Sequence, residues 1–437
     1  MPSCTAEELD FGRLGRRVIE ANFEGGALSS DGGVMLLKQV DHKLELSKAV
    51  SAALDDWRNP EQCTHALRDL VAQRLYGLCC GYEDLNDHAA LRADPLMQTA
   101  VGRDRALGSG PTLCRLERGA SRADVSALNG VLVQQFIASD RTAPSERVLD
   151  MDASDIAVHG EQEDKAFHGY YDHYCYLPLY VYCGKAILAC VLRPSRIDGA
   201  KHAAAVIKLL VGRLRQAWPQ VRIIVRADSG FCRQRLIRWC ERNAVGYVIG
   251  VAKNARLQRR VQDWERALEQ RFEQTQHKQR ELRDLRYGAE SWNTERRVVA
   301  RLDFGAKGAN PRFVVTNLDL DPEALYDGLY CQRGEAENRI KETQLDLFGT
   351  RASSGKFLAN WLRSLWSALA YTLMQRLREL ALAGTELAKA SAATIRVRLL
   401  KIGAAVIRNT RRIRILLASH HPLRHVFAAA ARALAAP

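Results

Sequence analysis

The chain has 437 residues, 47% of them hydrophobic, which is enough to bury a large core in two or three domains. Sixty-four Lys and Arg against 50 Asp and Glu leave a net charge of +14 and a pI near 9.4, which favours an anionic partner. No window approaches the ~18 uninterrupted apolar residues that a membrane span needs. Residues 1–20 lack the basic start and apolar core of a signal peptide. The eleven cysteines are scattered with no CxxC pair, so neither a disulfide framework nor a zinc ribbon is supported, and a reducing cytoplasm is expected. Cys79, Cys80, Cys175, Cys183 and Cys190 read as small buried hydrophobes. Gly184-Lys185 and Gly355-Lys356 are followed by Ala186 and Phe357 in place of Ser or Thr, so no P-loop is present and nucleotide hydrolysis is not expected.

From Leu28 to Ser139, helix-period segments alternate with loops. Leu67, Leu70, Val71, Leu75 and Leu78 fall on one helical stripe. The loop Gly102–Pro111 precedes another helix over about Arg122–Ala138, so residues 1–140 read as a helical N-terminal region. The period then changes. Val148–Ser154, His173–Cys183 and Ala186–Pro194 read as strands, Lys201–Ala217 as a helix, Val221–Asp228 as a strand, Cys232–Asn243 as a helix and Gly246–Val251 as a strand. This β-β-β-α-β-α-β order occupies residues 141–254.

Charged Arg256–Arg286 is expected to be helical, while Arg296–Asp303 and Pro311–Thr316 alternate like strands, so residues 255–325 read as an inserted β-containing subdomain. Residues 326–385 carry a polar helix with Glu337 and, after a break, an apolar helix over Asn360–Leu380 in which Trp361, Leu365, Trp366, Leu369 and Leu373 recur on one face. From Leu387 onward there are ten Lys or Arg and no acid, and Thr394–Leu417 mixes Ile, Leu and Val with these cations, so residues 386–437 read as a basic helical tail.

Acids from three distant segments stand out. Asp152 and Asp228 close apolar, β-branched runs, and Glu337 opens a helix-period stretch. Gathering like charges is costly unless cations neutralise them. Oxygen ligands suit Mg²⁺, and a pair of such ions roughly 3.5–4 Å apart serves phosphodiester cleavage or transfer. Asp150 rivals Asp152 on the same strand face, and Glu335 and Glu342 rival Glu337. The ordinary structural roles for such residues are a turn aspartate, a helix N-cap at Asp228 and solvated helix glutamates. Arg333, Glu337 and Lys341 share a helix face at i, i+4 spacing, which fits metal and phosphate contact or simple ion pairing. His159, His168 and His173 lack the tight spacing of a zinc site.

These motifs resemble the DDE transposases of bacterial insertion sequences, and within them the group written as insertion sequence thirteen-eighty. The resemblance runs from about Asn22 to Phe427 and is dense at Leu149–Asp155, His159–Gln162, His168–Leu179, Arg226–Phe231 and Tyr330–Glu342. It implies an α/β fold with a ribonuclease H-like catalytic core, the inserted β-containing subdomain, and flanking helical N- and C-terminal regions, the former binding end DNA. It selects Asp152, in Asp152-Ala-Ser154, with Asp228 and Glu337 as catalytic residues holding two Mg²⁺ ions, Mn²⁺ being a possible substitute. Tyr330, Arg333 and Glu337 match the first three positions of a Tyr, Arg, Glu, Lys pattern, while Gln344 stands where the lysine would be.

Arg333 and Lys341, with Tyr330, Arg411 and Arg412, are then expected to contact DNA. Trp292, in the insertion, is a candidate to stack on a flipped base, with core packing equally open. The resemblance further implies cut-and-paste transposition: metal-dependent strand cleavage and transfer at inverted terminal repeats. Double-stranded repeat and target DNA would be partners of a homodimer or higher oligomer that is cytoplasmic, nucleoid-associated when bound, and free of membrane. A metal-dependent nuclease that does not join strands, or an inactive repeat-binding repressor, are the alternatives.

Overall fold

The structure, a computed structural model, describes residues 8–435. The chain folds as two units, one made of residues 1–116 with 373–437 and the other of residues 117–372. The first unit opens on a hairpin, β1 (Leu9–Leu14) and β2 (Arg17–Ala21), whose side chains are almost all exposed, followed by the short β3 (Leu28–Ser29). Helices Val34–Leu44, Leu46–Ala53 and Leu67–Cys80 follow. The third is buried nearly all round, including the stripe from Leu67 to Leu78. It stops at Gly81, whose φ of 98° only glycine adopts easily, with the Gly81 N–H donated to the Gly77 and Leu78 carbonyls.

The second unit is built on one long sheet. Its strands are β4 (Glu146–Ala153), β8 (Leu179–Cys183), β9 (Ala186–Val191), β10 (Arg222–Ala227), β11 (Gly246–Val251), β12 (Gln279–Tyr287), β13 (Arg296–Gly305), the two-residue β14 (Gly308–Ala309) and β15 (Arg312–Thr316). A separate small sheet holds β5 (Ile156–Ala157), β6 (Ala166–His168) and β7 (His173–Tyr176). The long sheet runs β12-β13-β15-β11-β10-β4-β8-β9, with β14 beside β13. Strand β10 is parallel to both β4 and β11, whereas β8 is antiparallel to β4 and to β9.

Because side chains alternate across a strand, Leu149 and Met151 of β4 and Ile223, Val225 and Ala227 of β10 enter one core, against helices Ala203–Ala217, Gln234–Arg242 and Ala255–Thr275. The opposite face carries Asp150, Asp152 and Arg226, and farther along it a second cluster of Ile224, Val248, Val299 and Val314. The long helix Phe357–Ala381 is anchored in this unit by Trp361, whose indole N–H is donated to the Cys190 carbonyl at 2.9 Å.

Several elements differ from the sequence reading. The run His173–Cys183 is two strands, broken at Leu177-Pro178, since proline cannot donate to a ladder. Arg256–Arg286 is helical only to Thr275: Gln276 takes a left-handed φ of 56°, and Gln279–Tyr287 becomes β12, pairing residue by residue with β13. The strands of residues 279–316 continue the main sheet through the antiparallel pairing of β15 with β11. Helix Arg122–Ser139 falls in the second unit, packing Val133 and Phe136 on the sheet core.

The tail is not one basic helix. After a short helix at Ala392–Ile395, it turns back as β16 (Ala404–Arg408) and β17 (Ile413–Leu417), with β16 also pairing β3. The β-branched Val406, Ile407, Ile413 and Ile415 suit strands, and Asn409 closes the turn by accepting the backbone N–H groups of Arg411 and Arg412 at 3.1 and 2.8 Å. Much of the tail's charge is structural. Arg396 donates to the Cys79 carbonyl, Arg408 to Gln98 and Thr99, and Lys401 pairs with buried Asp31 at 2.7 Å. Cys79, Cys80, Cys175, Cys183 and Cys190 are buried free thiols. Among the described residues no helix is long and apolar enough to cross a membrane.

Candidate active site

The parallel register of β4 and β10 sets Arg226 opposite Asp150 and Ala227 opposite Met151, so one step farther Asp228 follows beside Asp152. Both acids leave the carboxyl ends of adjacent strands on the same face. Asp228 then turns sharply, its carboxylate accepting the Gly230 N–H at 2.9 Å, so the N-cap role and a place at the site coexist. The turn is packed against β11: a Cβ on Gly250 would lie 2.8 Å from the Ser229 nitrogen and 2.7 Å from the Tyr330 hydroxyl. Only glycine fits there.

Asp150 and Asp152 have different environments. Asp150 is buried, its side chain 5% exposed, and held by the Arg226 guanidinium through two hydrogen bonds, Nε to Oδ1 and Nη2 to Oδ2. Arg226 also donates to the Leu329 carbonyl at 2.5 Å, tying the strand to the segment before Tyr330. Asp152 is 16% exposed at the strand end and accepts from Arg333 at 3.3 Å.

Arg333 reaches both sides of the site. Its Nη2 lies 2.5 Å from Glu337 Oε1, one helical turn along Gly334–Lys341. Burial pushes the Asp152 carboxyl up to about 7, against the pull of Arg333 and helped by the negative charges of Asp228 and Glu337. Asp152 therefore feels the two acids that the sequence pattern joins to it. Glu335, by contrast, points to solvent and pairs with Arg339 at 3.2 Å.

The helix end is locked to β4 by side chains. Tyr182, beside Asp150 on β8, bonds Thr343 at 2.9 Å. Gln344 is buried, accepts from the Ser154 hydroxyl at 3.2 Å and donates to the Asp155 carbonyl at 3.1 Å. At the position where the resembled pattern has lysine, this chain thus has a neutral clasp on the loop that follows Asp152. Asp155 itself accepts from or pairs with His173 at 2.8 Å.

The remaining candidates are placed as follows. Tyr330 packs on Tyr326 at 5.4 Å, and burial pushes its hydroxyl up to about 12. Lys341 is exposed on the same helix as Glu337. Trp292 is half-buried, edge-on to Tyr287 at 5.5 Å and under the Arg296 guanidinium at 5.4 Å. Arg411 and Arg412 are exposed on the β16–β17 turn of the other unit.

Among the described residues, no three His, Cys, Asp or Glu side chains stand arranged to hold a metal ion. The donor chemistry nevertheless suits a hard divalent cation: three carboxylates whose repulsion is felt at Asp152, with one guanidinium now offsetting it.

A family described as transposase DDE domain, group 1, matches residues 11–436. This chain belongs to that family of DDE transposases. Among solved structures, the DDE transposase is similar to a piggyBac transposase seen by cryo-electron microscopy in a synaptic complex with hairpin DNA. The TM-score is 0.44 at 10% identity, over 85% of this chain and 80% of that one. No protein of curated function matches it.

The sequence reading missed the Asp150–Arg226 pair and the Gln344 clasp. A signal for the first was present: Arg226 stands two residues before Asp228 as Asp150 stands two before Asp152, so a parallel register pairs them.

Proposed function

We propose that this DDE transposase is of the insertion sequence thirteen-eighty type and bacterial, cutting DNA at the inverted terminal repeats of its element and joining the freed 3′ ends to target DNA. The observation that carries the reading is the neighbouring register of Asp152 and Asp228, with Arg333 joining Asp152 to Glu337. The strand order β9-β8-β4-β10-β11, with a parallel step on either side of β10, supports a ribonuclease H-like core.

Asp152, Asp228 and Glu337 would hold two Mg²⁺ ions, with Mn²⁺ as a substitute, and these supply charge stabilisation and activation of the attacking oxygen. Around them, the protein's own work is positioning. The Asp150–Arg226 pair fixes the two strand ends, and Gln344 fixes the loop after Asp152. Arg333, whose guanidinium reaches both Asp152 and Glu337, would offer its planar fork to two oxygens of a DNA phosphate. Lys341 and Tyr330 add phosphate contacts on the same side, and Arg411 and Arg412 hold DNA through backbone contacts that carry no sequence information. Two copies, one for each element end, make the working assembly.

The test is a supercoiled plasmid carrying both element ends, incubated with Mg²⁺ or Mn²⁺ and wild type or Asp228→Ala. Metal-dependent excision and joined products with wild type alone are expected. Cutting without joined products would favour a nuclease, and binding of the ends with no broken strand would favour a repressor.

A further inference from the structure

One guanidinium bonds two of the three acids. Arg333 Nη1 lies 3.3 Å from Asp152 Oδ2 and its Nη2 2.5 Å from Glu337 Oε1, so it joins a strand end to a helix 181 residues later. The other oxygen of Asp152 accepts the Ala153 N–H at 2.9 Å. Asp228 accepts the Gly230 N–H and, among the described residues, is in no ion pair. Arg333 is therefore the one cation bonded to these acids among the described residues. Its side chain is 21% exposed, beside Asp152 at 16% and Glu337 at 43%, so the group can be reached from solvent.

A guanidinium neutralises carboxylates but offers no lone pair of its own, and its charge repels a second cation brought to the same oxygens. A DNA phosphate presents two oxygens to the same planar fork. We propose that Arg333 is an internal counter-ion that competes with divalent metal for Asp152 and Glu337, and that a DNA phosphate, by taking the guanidinium, couples DNA binding to metal binding. This rests on the transposase reading and adds an order of loading to it: the DNA-free protein holds metal weakly, and the site fills once DNA is bound. Such coupling is reciprocal, so metal tightens DNA binding by the same factor. An ion pair that only braced the helix Gly334–Lys341 has the opposite consequence, because its loss would loosen Glu337 and weaken metal binding.

The test is Mn²⁺ binding to the DNA-free protein, read from the electron paramagnetic resonance of the unbound ion. Arg333→Gln is expected to bind Mn²⁺ about ten-fold more tightly than wild type, within the ~5–150-fold span usual for coupled sites. Arg339→Gln removes the same charge from the same helix, where it pairs with Glu335, and should leave Mn²⁺ affinity at the wild-type value. Asp228→Ala should lose the binding. Arg333→Lys keeps the charge without the fork and should fall between wild type and Arg333→Gln, which decides the question where glutamine unfolds the helix. Fluorescence anisotropy of a labelled duplex carrying one element end then reads the coupling. Ca²⁺, which takes the same oxygen ligands, should raise the DNA affinity of wild type more than that of Arg333→Gln. Mn²⁺ binding in Arg333→Gln equal to or weaker than in wild type, or an equal gain from Ca²⁺ in the two proteins, overturns the counter-ion. No Asp228-dependent Mn²⁺ binding in any of these proteins sinks the metal-site reading as well.

Discussion

Asp150 and Asp152 lie two residues apart on one strand face, and replacing each by asparagine should have opposite consequences. Asp150→Asn keeps the shape of the side chain but removes the charge opposite Arg226, whose own side chain is 8% exposed. Breaking a buried pair from one side typically costs about 3–5 kcal/mol, because the remaining charge stays buried without its partner. Arg226→Met should cost a similar amount and also frees the Leu329 carbonyl, worth about 1–3 kcal/mol when left unsatisfied. The double variant Asp150→Leu/Arg226→Met removes both charges together, so its loss should be smaller than the sum of the singles by at least about 2 kcal/mol. Asp152→Asn, by contrast, relieves the repulsion from Asp228 and Glu337, and should leave stability intact while abolishing strand cleavage.

Hydrogen exchange read on peptides covering Glu146–Ala153 and Arg222–Ala227 reports the two strands directly, which matters in a chain with two units whose global unfolding is not one step. Protection should fall in Asp150→Asn and Arg226→Met, recover in the double variant, and match wild type in Asp152→Asn. If Asp150→Asn kept wild-type protection and lost cleavage, the roles given to the two acids would be reversed. Additive single effects would refute the claim that the pair acts as one buried unit.

Three further outcomes are expected. Gly250→Ala drives a methyl into the Asp228 turn and the Tyr330 hydroxyl, so its cleavage rate should fall about 100-fold, the order expected of a ~1 Å misplacement, while stability falls by about 1–3 kcal/mol. Wild-type rates in this variant would show that the turn has room to spare. Gln344→Ala should lower stability by about 1–3 kcal/mol through loss of its bonds to Ser154 and Asp155, and Gln344→Lys, which restores the resembled pattern, should cost more by burying an unpaired ammonium; thermal unfolding with the two ranked in reverse would count against the clasp. His88 in the first unit is fully buried beside Gln73, and burial pushes its imidazole down to about 3 from 6.5. The folded state therefore keeps it neutral while the unfolded chain takes up a proton, so stability should fall by about 1.4 kcal/mol per pH unit as pH drops below 6.5 towards 3. Urea midpoints between neutral and mildly acidic pH should show a shallower loss in His88→Asn, and parallel slopes would refute the assignment.

What the sequence disclosed and what it withheld follow from the range of the interactions. Strands β4, β10 and β11 were legible because their alternation places Leu149 and Met151, Val225 and Ala227, Tyr247 and Ile249 in one core, and periodicity is a local property. The tail was misread because its Ile, Val and Arg residues fit a helical stripe and a strand equally well. The decision came from Asn409 closing a turn and from β3, some 375 residues earlier, pairing with β16. The same limit explains the site. Asp152, Asp228 and Glu337 announce themselves as acids at element ends, but whether Asp150 or Asp152 faces the opening depends on Arg226, which reaches Asp150 only through the register of two distant strands. Arg333 completes the argument. Its spacing to Glu337 is a helix turn that any reader of the sequence can see, while its hydrogen bond to Asp152 spans 181 residues and exists only because the helix Gly334–Lys341 lies over the end of β4. The guanidinium holds together carboxylates that would otherwise repel one another, which makes it the group whose removal should change the free protein and the DNA-bound protein in different ways. Without DNA, Arg333→Ala leaves three acids with no cation between them. With DNA, on the reading proposed above, it also removes the forked partner of the phosphate.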